Sequence, residues 1–404
     1  MSRFLFVVPP LVGHINPAVG VAAALTSRGH QVAWAGEPAL VRRLAGRDAT
    51  VHPCPQAGAG AGGQGTDSDT ARPAEIRGPE ALRFLWERFL VPLAEAMAPG
   101  VRQAVDGFRP DVVVADQQAL AGALVAEDLG LPWATSATTS AEFTDALASM
   151  PHVAAWNAAL LRELRARIGD PAGSGDPRFS PHLVLAFSTP ELAGPPARGG
   201  DRVRWVGPSL TARPSSAFPW ERLDPERSLV LVTLGTANTD VGARFLDRAA
   251  QALRARSDRV QAVVVDPEGA LGTGAAAGPG ERDVIALPVV PQLELLARAD
   301  AVVCHAGHNT VCEALWHGVP LVVAPIRDDQ PVIAAQVADA GAGVRIRFGR
   351  ASADTIGAAV DTVLYDPGPR AGARTIARAF RDAGGAPAAA RHLERLADGR
   401  KEDS

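Results

Sequence analysis

The 404 residues of this chain are too many for one ordinary hydrophobic core and suit two domains of about 150 to 200 residues each. Apolar residues make up 47% and charged residues 21% of the chain, which is typical of globular proteins and excludes large-scale disorder. The 40 basic and 44 acidic residues leave a net charge of -4, so no general attraction to nucleic acid or to anionic membranes is expected.

The residue types also exclude two classes of chemistry. Lys401 is the single lysine, whereas a P-loop and a pyridoxal enzyme each need a lysine at the site. Cys54, Cys304 and Cys312 cannot form a paired disulfide framework, which favours a reducing compartment, so we expect a cytoplasmic protein. Prolines interrupt the N-terminal apolar run before a signal-peptide pattern develops, and the sequence predicts no membrane span.

The N-terminal half alternates strand patterns with helical patterns. Helical spacing over residues 17–28 predicts a helix behind the first strand. Residues 56–75, rich in Gly, Ala and Ser, predict a mobile loop. Alternation of this kind is typical of a parallel, doubly wound sheet. Short apolar runs predict strands at 4–8, 31–35, 111–115, 132–135 and 183–187.

The pattern is interrupted and then restarts in the C-terminal half. Residues 209–228 contain several prolines and no periodicity, which predicts an interdomain linker. Beyond it, apolar runs at 229–234, 260–265, 301–304 and 320–324 predict a second sheet like the first. The last helix is predicted near 387–397.

Residues 291–330 form the most informative segment. A predicted strand ends at Cys304, a glycine-containing turn follows, and a helix is predicted to begin near Asn309 and Thr310. The backbone N–H groups and the dipole at a helix N-terminus favour a phosphate. Because ordinary α/β proteins contain such turns too, this pattern alone leaves phosphate binding and a plain structural turn equally open.

The same segment resembles the donor-binding signature of the plant UDP-glycosyltransferases and the bacterial macrolide and glycopeptide glycosyltransferases. In that family a His before the turn and the Gly, Asn and Ser or Thr behind it hold the diphosphate. The resemblance assigns Glu313 to the ribose hydroxyls, and Asp329 with Gln330 to the sugar hydroxyls. Pro291 and Gln292 match the family's Pro-Gln. The donor-binding set that it implies is Gly13, Gly235, Thr236, Val290, Gln292, His305, Gly307, His308, Asn309, Thr310, Glu313, Asp329 and Gln330.

Two positions depart from the family pattern. Val289 stands where the family has a Trp, two residues before Pro291, and Ala306 replaces the first glycine of the common His-Gly-Gly. The aromatic platform under the nucleotide base is therefore absent at Val289. The identity of the base stays open between UDP and dTDP, although Glu313 as a ribose ligand favours UDP.

Residues 12–17, Val-Gly-His-Ile-Asn-Pro, resemble the first loop of the same family, in which the His is the catalytic base. An imidazole with an ordinary pKa of about 6.5 can accept an alcohol proton at neutral pH. A lone His behind a strand is more often structural, but the C-terminal signature favours a catalytic role for His14. Asp116, just past a strand, matches the family's partner carboxylate. Asp111 stands at the beginning of that strand, so we expect it at the opposite end in a structural role.

Two motifs in the loop at 56–75 are weaker. Gly58, Gly60 and Gly63 satisfy a dinucleotide-binding spacing, but no predicted strand precedes them and no predicted helix follows. Asp67 and Asp69 form an Asp-x-Asp triplet, the pattern by which another glycosyltransferase class holds a divalent metal. We interpret both motifs as parts of a solvated loop.

Cys304, His305, His308 and Cys312 are all residue types that can bind zinc. Cys304 ends a predicted strand, however, and Cys312 lies one turn into a predicted helix, so tetrahedral convergence is not expected. Buried thiols are the simpler interpretation. We therefore predict no metal site.

The resemblance covers both halves of the chain and implies a fold class. It is α/β, GT-B: two Rossmann-like, doubly wound parallel-sheet domains facing a cleft. The acceptor-binding domain would span 1–208, the linker 209–228 and the nucleotide-sugar-binding domain 229–380. Residues 381–404 would form a C-terminal helix that crosses back, and a tail.

The function implied is an inverting, metal-independent glycosyltransferase without a cofactor. It would move a hexose from a UDP or dTDP sugar to a hydroxyl of a small apolar natural-product aglycone, such as a polyketide or an aromatic compound in antibiotic biosynthesis. His14 would deprotonate the hydroxyl, Asp116 would hold His14, and His305 with the following helix N-terminus would stabilise the leaving group. The chain is expected to be a monomer or homodimer.

Two alternatives stay open. A nucleotide-sugar epimerase can use the same fold, and a non-catalytic auxiliary protein could bind nucleotide sugar or aglycone. The expected acceptor loops are 56–80 and 136–165, where Trp86 and Trp156 suggest an apolar ligand. A core role for either tryptophan is at least as well supported.

Overall fold

The computed structural model describes residues 1–55, 78–144, 150–211, 216–235, 239–271 and 283–402. Its contacts divide the chain into two compact units. The first unit comprises residues 1–188, 195–212 and 383–404, and the second comprises 189–194 and 213–382. Each unit contains one sheet.

The sheet of the first unit has seven parallel strands in the order β3-β2-β1-β4-β5-β6-β7. Every residue of β4 and β5 is buried, because helices cover both faces of a doubly wound sheet. The strands are β1 (Arg3–Val7), β2 (Gln31–Gly36), β3 (Val51–Pro53), β4 (Val112–Asp116), β5 (Trp133–Ala137), β6 (Leu183–Ala186) and β7 (Val203–Trp205).

The helices of the first unit bury an apolar cluster on each face of this sheet. They are α1 (Val12–Ser27), α2 (Pro38–Ala45), α3 (Gly78–Phe84), α4 (Val91–Phe108), α5 (Leu120–Asp128), α6 (Pro151–Ile168) and the C-terminal α14 (Gly385–Glu402). A π-helical turn, Leu85–Leu90, joins α3 to α4. α14 packs along α1, and Glu394 accepts hydrogen bonds from Arg28 and contacts His30 at 2.8 Å. The C-terminal helix therefore supports the helix that follows β1.

The sheet of the second unit has six parallel strands in the order β10-β9-β8-β11-β12-β13. The strands are β8 (Ser228–Thr233), β9 (Val260–Val265), β10 (Val284–Leu287), β11 (Ala301–Cys304), β12 (Leu321–Val323) and β13 (Gly343–Arg345). The helices are α7 (Pro190–Ala193), α8 (Thr239–Arg254), α9 (Gln292–Leu296), α10 (His308–Trp316), α11 (Gln330–Asp339), α12 (Ala353–Tyr365) and α13 (Pro367–Ala383).

Two doubly wound parallel sheets are confirmed, but the sequence analysis did not predict the outermost strand on each side of either sheet. These are β3, β7, β10 and β13, of three or four residues each. An edge strand is covered incompletely and needs no continuous apolar run, so β3, β7 and β13 leave no such signal in the sequence. β10 is a continuous apolar run of four residues, and the sequence analysis overlooked it. The nine predicted runs all correspond to strands, with bounds shifted by two residues or fewer.

Two other expectations were wrong. The first helix begins at Val12 rather than at residue 17, so Gly13 and His14 belong to its first turn. Pro17 lies inside this helix, where it lacks the N–H of an ordinary helical residue, whereas the predicted helix began at this proline. The expected acceptor loop at 136–165 is helical from Pro151 onward, as α6.

Several sequence motifs lie outside the described residues. They are Gly58, Gly60 and Gly63, the Asp67 and Asp69 pair, and Thr236.

Trp86 is a core residue: it is buried in the first unit, and the Arg178 guanidinium lies 5.2 Å from its ring centroid. Within the described ranges, no helix is long and apolar enough to cross a membrane.

Candidate functional site

Three neighbouring strands of the first unit each bring one polar side chain to the same edge of the sheet. β1 leads into α1, whose third residue is His14. Asp116 is the last residue of β4, and Thr138 directly follows β5. The order β1-β4-β5 makes these strands neighbours, and the carboxyl ends of parallel strands lie at one edge, where α/β proteins bind ligands.

The three side chains form a closed hydrogen-bonded cluster. His14 Nδ1 lies 2.9 Å from Asp116 Oδ1 and 2.7 Å from Thr138 Oγ1. Thr138 Oγ1 donates to Asp116 Oδ2 at 3.1 Å, and the Gln118 backbone N–H donates to Asp116 Oδ1 at 2.8 Å. The Asp116 side chain is fully buried, whereas His14 keeps 16% of its side-chain exposure. A partly accessible imidazole beside a buried carboxylate is an arrangement suited to a general base.

Asp111 lies at the other end of β4. Its Oδ2 accepts a hydrogen bond of 2.7 Å from the backbone N–H of Arg3, the first residue of β1. This contact joins two neighbouring strands at their amino ends, far along the strand from Asp116. Asp111 therefore has the structural surroundings that its position in the sequence predicts.

In the second unit, His305 lies between two glycines. It follows β11, which pairs with β8, and Gly235 follows β8. A Cβ added at Gly307 would lie 2.3 Å from His305 Nε2, and one added at Gly235 would lie 2.7 Å from His305 Cε1. Gly235 also has a φ of +69°. Glycine is needed at both positions because the imidazole ring occupies the space of a side chain.

The helix α10 begins directly behind this ring. Gly307 is its N-cap residue, and His308, Asn309 and Thr310 form its first turn. The Gln292 side chain at the start of α9 donates to Glu313 Oε2 at 2.6 Å. Glu313 is thus a buried carboxylate held in place by a neighbouring amide. The arrangement can present backbone N–H groups to an anion and a carboxylate to hydroxyl groups.

Burial, together with a smaller effect of the Arg327 charge, lowers the pKa of His305 to about 4 against the opposing effect of a hydrogen bond to the Thr233 backbone. At neutral pH the ring is uncharged. It can therefore act toward a diphosphate as a hydrogen-bond donor rather than as a cation.

The low pKa of His305 predicts a loss of stability in acid. The unfolded chain binds this proton at about pH 6.5 and the folded chain only at about pH 4. The stabilisation is therefore present above pH 6.5 and is lost as the pH falls toward 4. Between pH 7 and pH 5, wild-type protein should lose about 2 kcal/mol more unfolding free energy than His305→Asn. Urea unfolding of both proteins at the two pH values measures this. Equal losses of unfolding free energy in wild-type protein and His305→Asn would contradict this prediction.

Two residues of the second unit have a left-handed backbone without being glycine. Ala306 has a φ of +66° and Asp328 a φ of +57°. A side chain in this conformation is strained by about 1–2 kcal/mol. Ala306 lies between His305 and Gly307, and the family pattern has a glycine at the position of Ala306.

Substitution of Ala306 by glycine is expected to stabilise the protein. Relief of the left-handed strain should exceed the entropy that glycine adds to the unfolded chain, leaving a gain of about 0.5–1 kcal/mol. The matched control is Ala340→Gly, at a right-handed φ of -73°, which should lose stability instead. Urea unfolding that ranks the two variants in the opposite order would rule out strain at Ala306.

Asp329 and Gln330 lie at the start of α11. Gln330 Oε1 accepts hydrogen bonds from the backbone N–H groups of Ile326 and Arg327, at 2.9 and 3.1 Å. Its oxygen is thus used to shape the preceding loop, and its Nε2 is the group that can donate to a sugar hydroxyl.

Val290 is half-buried between β10 and α9, and its neighbour Val289 is 64% exposed.

The four possible zinc ligands do not form a tetrahedral set. Cys312 Sγ lies 3.5 Å from His308 Nε2. Burial raises the pKa of the Cys304 and Cys312 thiols, which disfavours the thiolates that zinc requires. Among the residues that the structure describes, no three His, Cys, Asp or Glu side chains are arranged to hold a metal ion.

The structure groups the predicted residues by unit. Gly13 and His14 lie in α1 of the first unit with Asp116 of β4, and the other described members of the predicted donor set lie in the second. Sequence interpretation missed Thr138. A signal was present, because a polar residue directly after the strand adjacent to β4 must reach the same sheet edge as Asp116.

Comparison with known proteins agrees with this architecture. A family model described as UDP-glucoronosyl and UDP-glucosyl transferase matches residues 209–387. The 4'-demethylrebeccamycin synthase of Lentzea aerocolonigenes is 29% identical over 399 residues, 91% of this chain and 92% of that protein. The demethyllactenocin mycarosyltransferase of Streptomyces fradiae is 28% identical over 98% of this chain and 87% of that protein. The solved structure of the spinosyn rhamnosyltransferase SpnG with thymidine diphosphate is 26% identical, with a TM-score of 0.72 over 98% of this chain and 100% of that one.

The two parallel sheets and these matches define the chain as a GT-B glycosyltransferase, as the resemblance predicts. Residues 209–387 match the model of the UDP-glucoronosyl and UDP-glucosyl transferase family. Its full-length relatives include enzymes of antibiotic and other natural-product biosynthesis. The roles of the individual site residues stay predictions.

Proposed function

We propose that this protein is an inverting, metal-independent glycosyltransferase that moves a hexose from a nucleotide diphosphate sugar to a hydroxyl of a small apolar natural product. The observation that carries the proposal is the contact between His14 Nδ1 and the buried Asp116 carboxylate at 2.9 Å, in a chain whose residues 209–387 match a glycosyltransferase family model. A dyad of this kind has a clear use in an enzyme that must deprotonate an alcohol.

In the proposed reaction, His14 Nε2 removes the proton of the acceptor hydroxyl. The acceptor oxygen then forms a bond to the anomeric carbon while the bond between that carbon and the diphosphate oxygen breaks. The bonding electrons leave with the diphosphate, and attack from the opposite side inverts the anomeric centre. Asp116 stabilises the imidazolium that forms. The neutral His305 ring and the N-terminus of α10 stabilise the departing diphosphate.

The donor is proposed to be a hydroxyl-rich hexose such as glucose. Asp329 and Gln330 would bind its hydroxyls, and a sugar lacking them would leave polar groups unpaired at a cost of about 1–3 kcal/mol. Glu313, held by Gln292, favours a ribose with both hydroxyls and hence UDP. The thymidine diphosphate in the SpnG structure favours dTDP. The exposed Val289 in place of an aromatic residue favours neither base.

The acceptor class rests on the relatives. One of them is a mycarosyltransferase acting on demethyllactenocin and another is a 4'-demethylrebeccamycin synthase, so a natural-product aglycone is the class to test. Trp156 lies partly buried against the core of the first unit, which is compatible with a structural role. It does not by itself specify an acceptor.

A metal-independent mechanism predicts that activity survives excess EDTA. The leaving group would be stabilised by N–H donors rather than by a divalent ion, so the rate in EDTA should equal the rate without it. The measurement is nucleoside diphosphate release with and without EDTA. Loss of activity that Mg²⁺ or Mn²⁺ restores would contradict the mechanism and favour a role for Asp67 and Asp69.

The function itself is tested by a mass-spectrometric screen of aglycones with UDP-glucose and dTDP-glucose. A hexose mass added to an aglycone is the expected result. Conversion of the nucleotide sugar without any acceptor would favour an epimerase, and binding without turnover would favour an auxiliary protein.

Competition of UDP-glucose against dTDP-glucose identifies the base. Competition of dTDP-glucose against a dTDP-2,6-dideoxysugar tests Asp329 and Gln330, whose proposed role fails if the dideoxysugar reacts faster.

A further inference from the structure

Thr138 connects the two side chains of the proposed base. Its Oγ1 lies 2.7 Å from His14 Nδ1 and 3.1 Å from Asp116 Oδ2. The residue is 4% exposed and directly follows β5, the neighbour of β4. A buried hydroxyl that contacts both members of a dyad can determine their geometry.

The number of available protons defines the direction of each bond. A threonine hydroxyl has one proton to donate. Because Thr138 donates it to Asp116 Oδ2, its oxygen can only accept at His14 Nδ1. Asp116 Oδ1, also close to Nδ1, is an acceptor in the ionised carboxylate. Both groups beside Nδ1 are therefore acceptors, which places the ring proton on Nδ1 and the lone pair of the neutral ring on Nε2.

The same bonds fix orientation. The Asp116 carboxylate is held at Oδ1 by the Gln118 backbone N–H and at Oδ2 by the Thr138 hydroxyl, so its plane is defined at both oxygens. The His14 ring is held at Nδ1 by acceptors on two different strand ends. An imidazolium forming here meets groups that are already oriented, which avoids reorganisation during the reaction.

We propose that Thr138 is a positioning residue that fixes the tautomer and the orientation of His14, both directly and through Asp116. The proposal rests on the proposed function, because it takes His14 as the base. It assigns no contact between Thr138 and either substrate. Its effect on the rate should therefore exist only while His14 is present.

The first test needs no substrate. In protein labelled with ¹⁵N-histidine, with the His14 signals assigned by their absence in His14→Ala, Nδ1 should carry the proton. In Thr138→Val, which keeps the side-chain shape, the Nδ1 resonance should shift because one of its two acceptors is gone. The matched control is Thr135→Val: Thr135 is buried within β5, the strand that Thr138 follows, but its hydroxyl accepts from Ser180 N at 2.8 Å. A wild-type ring protonated at Nε2, or an unchanged Nδ1 resonance in Thr138→Val, would overturn the proposal.

The second test is a double-mutant cycle on transfer from UDP-glucose to the phenolic probe 7-hydroxycoumarin. Thr138→Val should lower kcat by about 10- to 100-fold, the scale of a misplaced catalytic group, and leave the KM for UDP-glucose unchanged. Thr138→Ser, which keeps the hydroxyl, should restore most of the rate. In the His14→Ala background, Thr138→Val should change the rate by less than about twofold, because the two residues act as one unit.

The outcomes separate this proposal from the proposed function. A full loss of rate from Thr138→Val in the His14→Ala background would overturn the positioning role, since it would mean that Thr138 acts independently of His14. Equal losses in Thr138→Val and Thr135→Val would overturn it as well. No transfer by wild-type protein to this probe or to any screened aglycone would contradict the proposed function, and the histidine spectra would still decide the role of Thr138.

Discussion

Replacement of His14 by alanine is expected to lower kcat by about two to four orders of magnitude, the usual contribution of a general base. The ring is the partly exposed member of the cluster, and its Nδ1 is occupied by Asp116 and Thr138. Its loss removes the group that takes the acceptor proton. The KM for the nucleotide sugar should barely change, because the predicted diphosphate, ribose and sugar ligands lie in the second unit.

The matched control for His14 is His182→Ala. His182 immediately precedes β6, at the amino end of the strand, so it lies on the opposite edge of the sheet from His14. Its removal should leave kcat within about twofold of wild type. A His14→Ala enzyme that keeps more than about a tenth of the wild-type rate would remove His14 from the mechanism.

Replacement of Gly307 by alanine is expected to weaken donor use by about 100-fold, measured as kcat/KM for the nucleotide sugar. The new Cβ would lie 2.3 Å from His305 Nε2, so the ring must move out of its position between Gly235 and Gly307. A displacement of about 1 Å in a group that stabilises the leaving group can cost about two orders of magnitude. Gly307 itself has an ordinary φ of -64°, so the effect would come from the contact and not from backbone strain.

Gly349→Ala provides the comparison. No atom lies within 4 Å of a Cβ placed at Gly349, so this substitution adds the same methyl group without a collision. Its kcat/KM should match that of wild type. If Gly307→Ala were as active as Gly349→Ala, the His305 ring would not need its present position for donor use.

The central strands of both sheets could be predicted from the sequence because both of their faces are buried. β8 and β11, for example, appear as continuous apolar runs. The edge strand β13 is only partly buried over its three residues, so its sequence resembles that of a loop. The start of α1 was misplaced for a different reason: Pro17 reads as a helix boundary in sequence, whereas packing against the sheet and α14 keeps this helix intact through the proline.

The sequence allowed several residues of the candidate site to be predicted, but it did not allow the contacts between them to be predicted. The resemblance to a known family identified His14, Asp116 and His305, and the strand-turn-helix pattern indicated which sheet edge each one reaches. Thr138 belongs to no apolar pattern or recognised motif. Its importance depends on contacts with His14 and Asp116, which are far away in the sequence. The sequence analysis identifies Gly235 and Gly307 only as donor-binding positions, because the packing of the His305 ring against a missing Cβ cannot be predicted from the sequence.

The most direct measurement of the central claim is the anomeric configuration of the product. UDP-glucose carries an α-linked sugar, and the acceptor found in the aglycone screen should receive it in one displacement by an oxygen that His14 has deprotonated. The proton NMR coupling constant at the anomeric position distinguishes the two possible glucosides. The account predicts a β-glucoside, formed by wild-type protein and strongly reduced in His14→Ala. An α-glucoside would contradict a single inverting displacement and with it the role assigned to His14.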